Sequence, residues 1–310
     1  MSSSSQPRPP RGRHAAPDDT ASGRSGFSRT GSGRHAAAPT GPPLSLRSEL
    51  RRQTGRRRTL WAFALLLALP LVLVAAFAIG RSSGPATGTR LVDLATLGSA
   101  NFTLFTLVAA SEFLLLVLVA LFAGDPVPSE ASWSTLRYLL VAPVPRARLL
   151  TSKLVVAIAT IAVALVALVV WSLLVGTVAY GTAPFTNPAG GVLEWRELLP
   201  RVAAATAYLF VTFLQVAAFA FWMGVRTDAP LAAVGGAVLV TIVTSILGQI
   251  EPLGDLRHGL PLYYQRAFLD LFTPAIDWTG MRHGALWSLL YAVVFTALAY
   301  RTFRRKDVLS

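Results

Sequence analysis

The sequence predicts an all-α integral membrane protein. Three observations carry that reading: an apolar composition, a charge confined largely to one end, and six apolar runs of membrane-spanning length. Of 310 residues, 53% are hydrophobic and only 14% are charged, against about 25% charged in an ordinary soluble chain. Mean hydropathy is +0.54, which excludes a soluble globular enzyme. The net charge of +13 taken alone suggests a nucleic-acid partner. Twelve of the 28 basic residues, however, are arginines within residues 1–58, set against Asp18, Asp19 and Glu49, so the rest of the chain carries only +4. The chain reads as a basic tail on a nearly neutral, apolar body.

Residues 1–43 are Ser, Gly, Pro, Arg and Ala with few large apolar side chains. Such a segment buries too little surface to offset its ordering entropy and is expected to be a disordered tail. Its one echo, Gly12-Arg13-His14-Ala15-Ala16-Pro17 against Gly33-Arg34-His35-Ala36-Ala37-Ala38-Pro39, reads as low-complexity drift. No signal peptide is expected, because more than 50 mostly polar residues precede the first apolar run. Nucleic-acid binding by the tail is not expected either, for Phe27 is its only aromatic residue. Residues 44–310 form the predicted six-span domain. It opens on LSLRSELRRQTGRRR, where Leu46 and Leu50 lie one turn apart among arginines. That suits an amphipathic helix on anionic membrane lipids, or simply a positive flank that orients the first span.

A helix needs about 20 apolar residues to cross the hydrocarbon. The runs are 59–80, with Pro70 near the middle; 101–124, with the carboxylate Glu112; a third beginning after Lys153 and stopping near Tyr180; 202–225; 231–250; and 284–300, extended into Arg282 and Arg301. With the N-terminus inside, the inner connections carry 21 Lys and Arg and the outer ones seven. The predicted localisation is therefore the cell membrane, multi-pass, with both termini cytoplasmic. The connection from Glu251 to Arg282 holds apolar patches too short to span, Leu260 to Tyr264 and Phe268 to Phe272. They suit a re-entrant or interfacial segment.

The chemistry-bearing residues are few. There is no cysteine, which excludes disulfides and thiolate sites. The four histidines form no HExxH pair, and neither Lys153 nor Lys306 stands in a phosphate-binding loop. No metal, no cofactor and no enzymatic activity are expected of the chain itself. The loop after the second span is the most informative stretch. Pro126 and Pro128 interrupt the preceding helix, Ser129 is placed to cap a new one, and Glu130 suits its first turn. Trp133, Leu136 and Leu140 share a helical face before Pro143 and Pro145 stop the run. This predicts a short cytoplasmic helix with an apolar face and basic ends. It either docks into a partner's groove or packs on the membrane face of its own bundle.

This loop resembles the signature of the type-two permease family of ATP-binding-cassette (ABC) exporters, roughly F-x-G-D, then E-x-x-x-G-T-L-x-x-L-L, P-x-x-R and a lysine. The matching residues are Phe122, Gly124, Asp125, Glu130, Thr135, Leu136, Leu139, Leu140, Pro143, Arg146 and Lys153, with Ser134 in place of the usual Gly. The stretch before the first span and the ending Tyr300 to Asp307 are also similar to that family. The resemblance implies a permease subunit of an ATP-driven exporter, working with a separate ABC ATPase and a second permease copy. The loop helix would then be the coupling helix, with Glu130, Arg137 and Arg146 as polar contacts and Trp133, Thr135, Leu136, Leu140 and Pro143 completing the surface.

Glu112 is the one ionisable group near mid-span. Burying a charge there costs about 2.5–3.5 kcal/mol, so it is expected to face the bundle interior. It is a candidate substrate or proton site; the plainer reading is a hydrogen-bonded packing residue beside Ser111 and Thr106. The alternatives to an exporter subunit are a proton-coupled secondary transporter and a non-transporting membrane scaffold. An intramembrane enzyme is disfavoured, because the spans hold no Asp and no His pair.

Overall fold

A computed structural model describes residues 50–51, 53–81, 91–132, 146–187 and 190–305. The tail 1–43, most of the predicted interfacial helix, and the ending after Arg305 lie outside the described residues. Six described helices are long and apolar enough to cross a membrane, and the only sheet among the described residues is a two-stranded hairpin. The chain is an all-α, multi-pass membrane protein. In order it runs α1 (Arg57–Arg81), the short α2 (Leu91–Ala95), α3 (Ser99–Gly124), α4 (Pro126–Ser132), α5 (Arg146–Tyr180), β1 (Phe185–Thr186), β2 (Val192–Leu193), α6 (Trp195–Arg226), α7 (Pro230–Leu247), 3₁₀ segments Glu251–Gly259 and Gln265–Phe272, and α8 (Thr279–Arg305). Six crossings bring the start of α1 and the end of α8 to one end of the bundle, called here the terminal end.

Burial ranks the helices. The apolar stretch of α6 is 56% buried, against 22% for α1 and 17% each for α7 and α8. Packed against α3, α5, α7 and α8, α6 is the central pillar. Outer helices leave Leu65, Leu239 and Leu290 exposed, as lipid-facing surfaces require. Lipid supplies little force between helices, so close approach depends on small residues. At the contact of α6 with α3, a Cβ on Gly224 would collide with the Gly124 carbonyl oxygen. Pro70 lies inside α1 and removes one amide donor from its ladder. Three residues earlier, the Trp171 indole N–H donates to the Leu67 carbonyl at 2.8 Å, tying α5 to α1.

Several boundaries differ from the sequence reading, α6 beginning at Trp195 and not near Val202 and α8 at Thr279 and not near Arg282; two others are informative. The third span begins at Arg146, not after Lys153, so Lys153 sits inside α5 with only 1% of its side chain exposed. An apolar run is cut at the nearest charge, whereas a helix continues wherever that charge finds a partner. The helix after α3 likewise begins at Pro126, not at a Ser129 cap. Proline is well tolerated in a first turn, where the amide has no helical partner, so Pro126 and Pro128 start this helix rather than merely ending the one before.

The connection before α8 returns into the bundle. Helix α7 has only 18 residues, and Thr244 near its end lies beside Gln215 and Val216 of α6, far from the Trp195 end of that helix. The chain then runs back along α6. Tyr208 donates to the Tyr264 carbonyl at 2.7 Å, and Arg201 donates to the Leu271 and Thr273 carbonyls at 2.8 and 3.0 Å. Phe268, Leu271 and Phe272 are buried. Non-helical backbone at this depth needs such partners for its carbonyls, and α6 supplies them. At the non-terminal end, Asn101 of α3 both donates to the Thr186 carbonyl and accepts from its amide, at 2.8 and 3.0 Å, fastening the hairpin. Asn187 donates to the Phe272 carbonyl at 2.7 Å.

Candidate functional site

Two groups of charged residues stand out, one at the terminal end and one midway along α3. At the terminal end, Asp125 lies between α3 and α4. Its carboxylate accepts from Arg58 at 2.6 Å, Arg56 at 3.3 Å and Ser129 at 2.7 Å. One turn on, Glu130 accepts from Lys153 of α5 at 2.5 Å and lies 3.8 Å from Arg56. The Glu130 and Lys153 side chains are 6% and 1% exposed. This cluster binds the segment before α1, the start of α4 and the first turns of α5 into one foot. Gln53 reaches the same foot, its amide donating to the Phe122 carbonyl at 3.5 Å.

Midway along α3 the regular helix widens into a π-helical turn, Ala110–Leu114. Such a turn shifts the hydrogen-bond ladder by one residue and frees a carbonyl, a feature frequent at functional sites. Two consecutive residues of the returning segment meet it. Gln265 donates to the Ser111 carbonyl at 2.6 Å, and Arg266 Nε donates to Glu112 Oε1 at 2.8 Å. The Arg266 and Glu112 side chains remain 67% and 42% exposed. Glu112 is therefore neither isolated nor packed away. With Arg266 it borders a cavity of about 450 Å³, within the usual range for small-molecule sites. The other walls come from the end of α7 and the returning segment and include Ser245, Gln249, Glu251 and Arg257. Arg257 Nε is buried and meets no hydrogen-bond partner among the described residues. Leu262, on the same wall, has a φ of 62°, a region rarely taken by a side chain of this size. Strain of this kind persists only where surrounding contacts enforce it.

The electrostatics of the returning segment follow from its partners. Its hydrogen bond to Glu112 holds the Arg266 guanidinium above its ordinary pKa. Burial, then Asp277, raises Asp270, whereas hydrogen bonds from Thr279 lower Asp277. No group of three His, Asp or Glu side chains is placed to hold a metal ion among the described residues.

Of the residues singled out from the sequence, Glu130 lies in the foot and Glu112 on the cavity. Arg146 starts α5. Trp133, Thr135, Leu136, Arg137, Leu140 and Pro143 lie outside the described residues. Lys153, Asp125, Arg56 and Arg58 were read as flanks or motif positions rather than as one cluster. Arg266, Arg257 and Glu251 were counted only as loop charges. Short apolar patches interleaved with paired acids and bases between Glu251 and Arg266 were the available signal.

Comparison with known proteins corrects the family reading. The family whose model matches the chain is one of unknown function, not an ABC transporter family. The resemblance rested on the ordered series of residues from Phe122 to Lys153, an arginine-rich entrance and the ending Tyr300 to Asp307. Its arginine flanks are what topology asks of any multi-span protein, and the short motif between them does not identify a lineage. No curated protein matches the chain. Through residues 71–309, which take in the second half of the first span and the five spans after it, the chain belongs to the family described as protein of unknown function, DUF2705.

Proposed function

We propose that the chain is the membrane-embedded subunit of a transporter. The observation that supports this most directly is the polar cavity beside the π-helical turn, where Glu112 and Arg266 face each other midway along a spanning helix. Ionisable groups at such depth are expensive and usually mark a solute or ion path. The foot of Glu130, Lys153 and Asp125 would pass force from a partner at the terminal end to α3 and α5. Because the chain has no phosphate-binding loop, a separate ATPase subunit docking at the terminal end, on the stretch from Glu130 to Arg146, would supply the energy. The Lys and Arg distribution favours cytoplasmic termini in a cell membrane, and on that reading the foot would face the cytoplasm. A second copy of the chain would complete the assembly.

The natural absence of cysteine allows a direct test. In vesicles of either orientation, a membrane-impermeant maleimide is expected to label Ser245→Cys from one side in the resting state. Supplying the partner and ATP should make it reachable from the other. Labelling from a single side under all conditions would count against alternating access. A cysteine in the tail should react only in inside-out vesicles.

A further inference from the structure

We propose that the cavity beside the π-helical turn takes a zwitterionic ligand, its cationic nitrogen on Glu112 and its oxyanion on Arg266. The proposal deepens the transport reading and rests on it for the premise that this cavity receives a solute. Three observations carry it.

First, the cavity wall is charge-balanced: Glu112 and Glu251 stand with Arg257 and Arg266. Second, the Glu112–Arg266 pair is partly exposed, with side chains 42% and 67% accessible, so a ligand can reach both groups. Third, the buried Arg257 Nε meets no hydrogen-bond partner among the described residues, leaving a further donor on the same wall.

Charge conservation then selects the ligand. A simple anion that displaced Glu112 from Arg266 would leave a carboxylate uncompensated at mid-bundle. A simple cation on Glu112 would do the same to the guanidinium. Water can reach the charge left over, because both side chains are exposed, so the single-charge ligands lose not by stranding an ion but by forgoing one charged hydrogen bond that the zwitterion keeps. A ligand carrying an ammonium and an oxyanion a few bonds apart replaces one ion pair by two and leaves no charge over. A free amino-acid-like solute and a zwitterionic lipid headgroup share this chemistry.

The test uses the full chain in nanodiscs made only of phosphatidylglycerol, which carry no zwitterion. Three probes of matched size are titrated: glycylglycine (zwitterion), N-acetylglycine (anion) and glycylglycinamide (cation). Glycylglycine is expected to bind saturably and at least about tenfold more tightly than either of the others, the worth of one charged hydrogen bond. Glu112→Gln should move the preference to N-acetylglycine, and Arg266→Gln to glycylglycinamide. Arg266→Lys, which keeps the charge, should keep the zwitterion preference and serves if Arg266→Gln does not fold.

Adding phosphatidylethanolamine distinguishes the sources. Loss of glycylglycine binding with retention of that lipid on purification assigns the site to a headgroup; unchanged binding assigns it to a free solute. Equal binding of all three probes, or none of the glycylglycine together with no retained phosphatidylethanolamine, overturns the proposal. Binding without any flux in reconstituted vesicles would sink the transport reading alone. Flux of other solutes blocked by labelled Ser245→Cys, with no zwitterion preference, would sink the ligand assignment alone.

Discussion

The foot and the cavity contain the same kind of pair, a carboxylate from the α3–α4 stretch facing a cation from a distant segment, yet their surroundings differ. Glu130 and Lys153 are almost fully enclosed, while Glu112 and Arg266 are substantially exposed. Breaking an enclosed pair leaves one charge stranded, whereas breaking an exposed pair lets water take over. The foot is therefore fastened and the cavity pair exchangeable. A force-bearing joint needs the first property and a binding site the second.

The sharpest way to break this contrast is Lys153→Met. It should cost about 3 kcal/mol, the lower end of the penalty for breaking a buried pair because Arg56 still lies 3.8 Å from Glu130, read as chemical unfolding in detergent. The double variant Lys153→Met with Glu130→Leu should recover most of that loss. A cost for the single variant as small as that of a surface pair would erase the distinction between the two sites.

Next in size is the packing on which the foot leans. Gly224→Ala should destabilise by about 1–3 kcal/mol, because its Cβ would meet the Gly124 carbonyl and push α6 from α3. Gly284→Ala tests the cavity side in the same way, since its Cβ would strike the Tyr208 hydroxyl that holds Tyr264. Thermal unfolding of both variants compares the stiffness of the two regions.

Glu112→Gln should change stability by about 1 kcal/mol or less while altering ligand preference. Large destabilisation with unchanged binding would make Glu112 a structural residue like Glu130. The smallest effect concerns pH. Asp270 has a raised pKa, so its contribution to stability is present at low pH and lost as pH rises through the folded value. Asp277 has a lowered one, so its contribution is present above the ordinary carboxylate range and lost on acidification. Asp270→Asn should thus look most favourable relative to the natural chain at neutral pH, and Asp277→Asn least favourable there. Unfolding midpoints measured across the acidic range check both signs.

Much of the fold was legible because lipid imposes it locally. Both ends of α1 fall within two residues of the predicted run, α6 ends one residue beyond its own, and the patches at Leu260 and Phe268 were recognisable as too short to span. What local pattern missed was where charge enters a helix. Lys153 looked like a flank because a composition window cannot see Glu130, 23 residues earlier, waiting to pair with it. Arg266 looked like a loop charge because its partner Glu112 is 154 residues away.

The sequence by itself determined that this chain lies in a membrane and crosses it six times, for apolar length and the placement of prolines answer to the bilayer directly. Only the tertiary structure decided which charges meet. The π-helical turn in α3, the early end of α7 and the return of Gln265 and Arg266 to Ser111 and Glu112 arise from contacts between distant segments, and no period or composition within either segment encodes them.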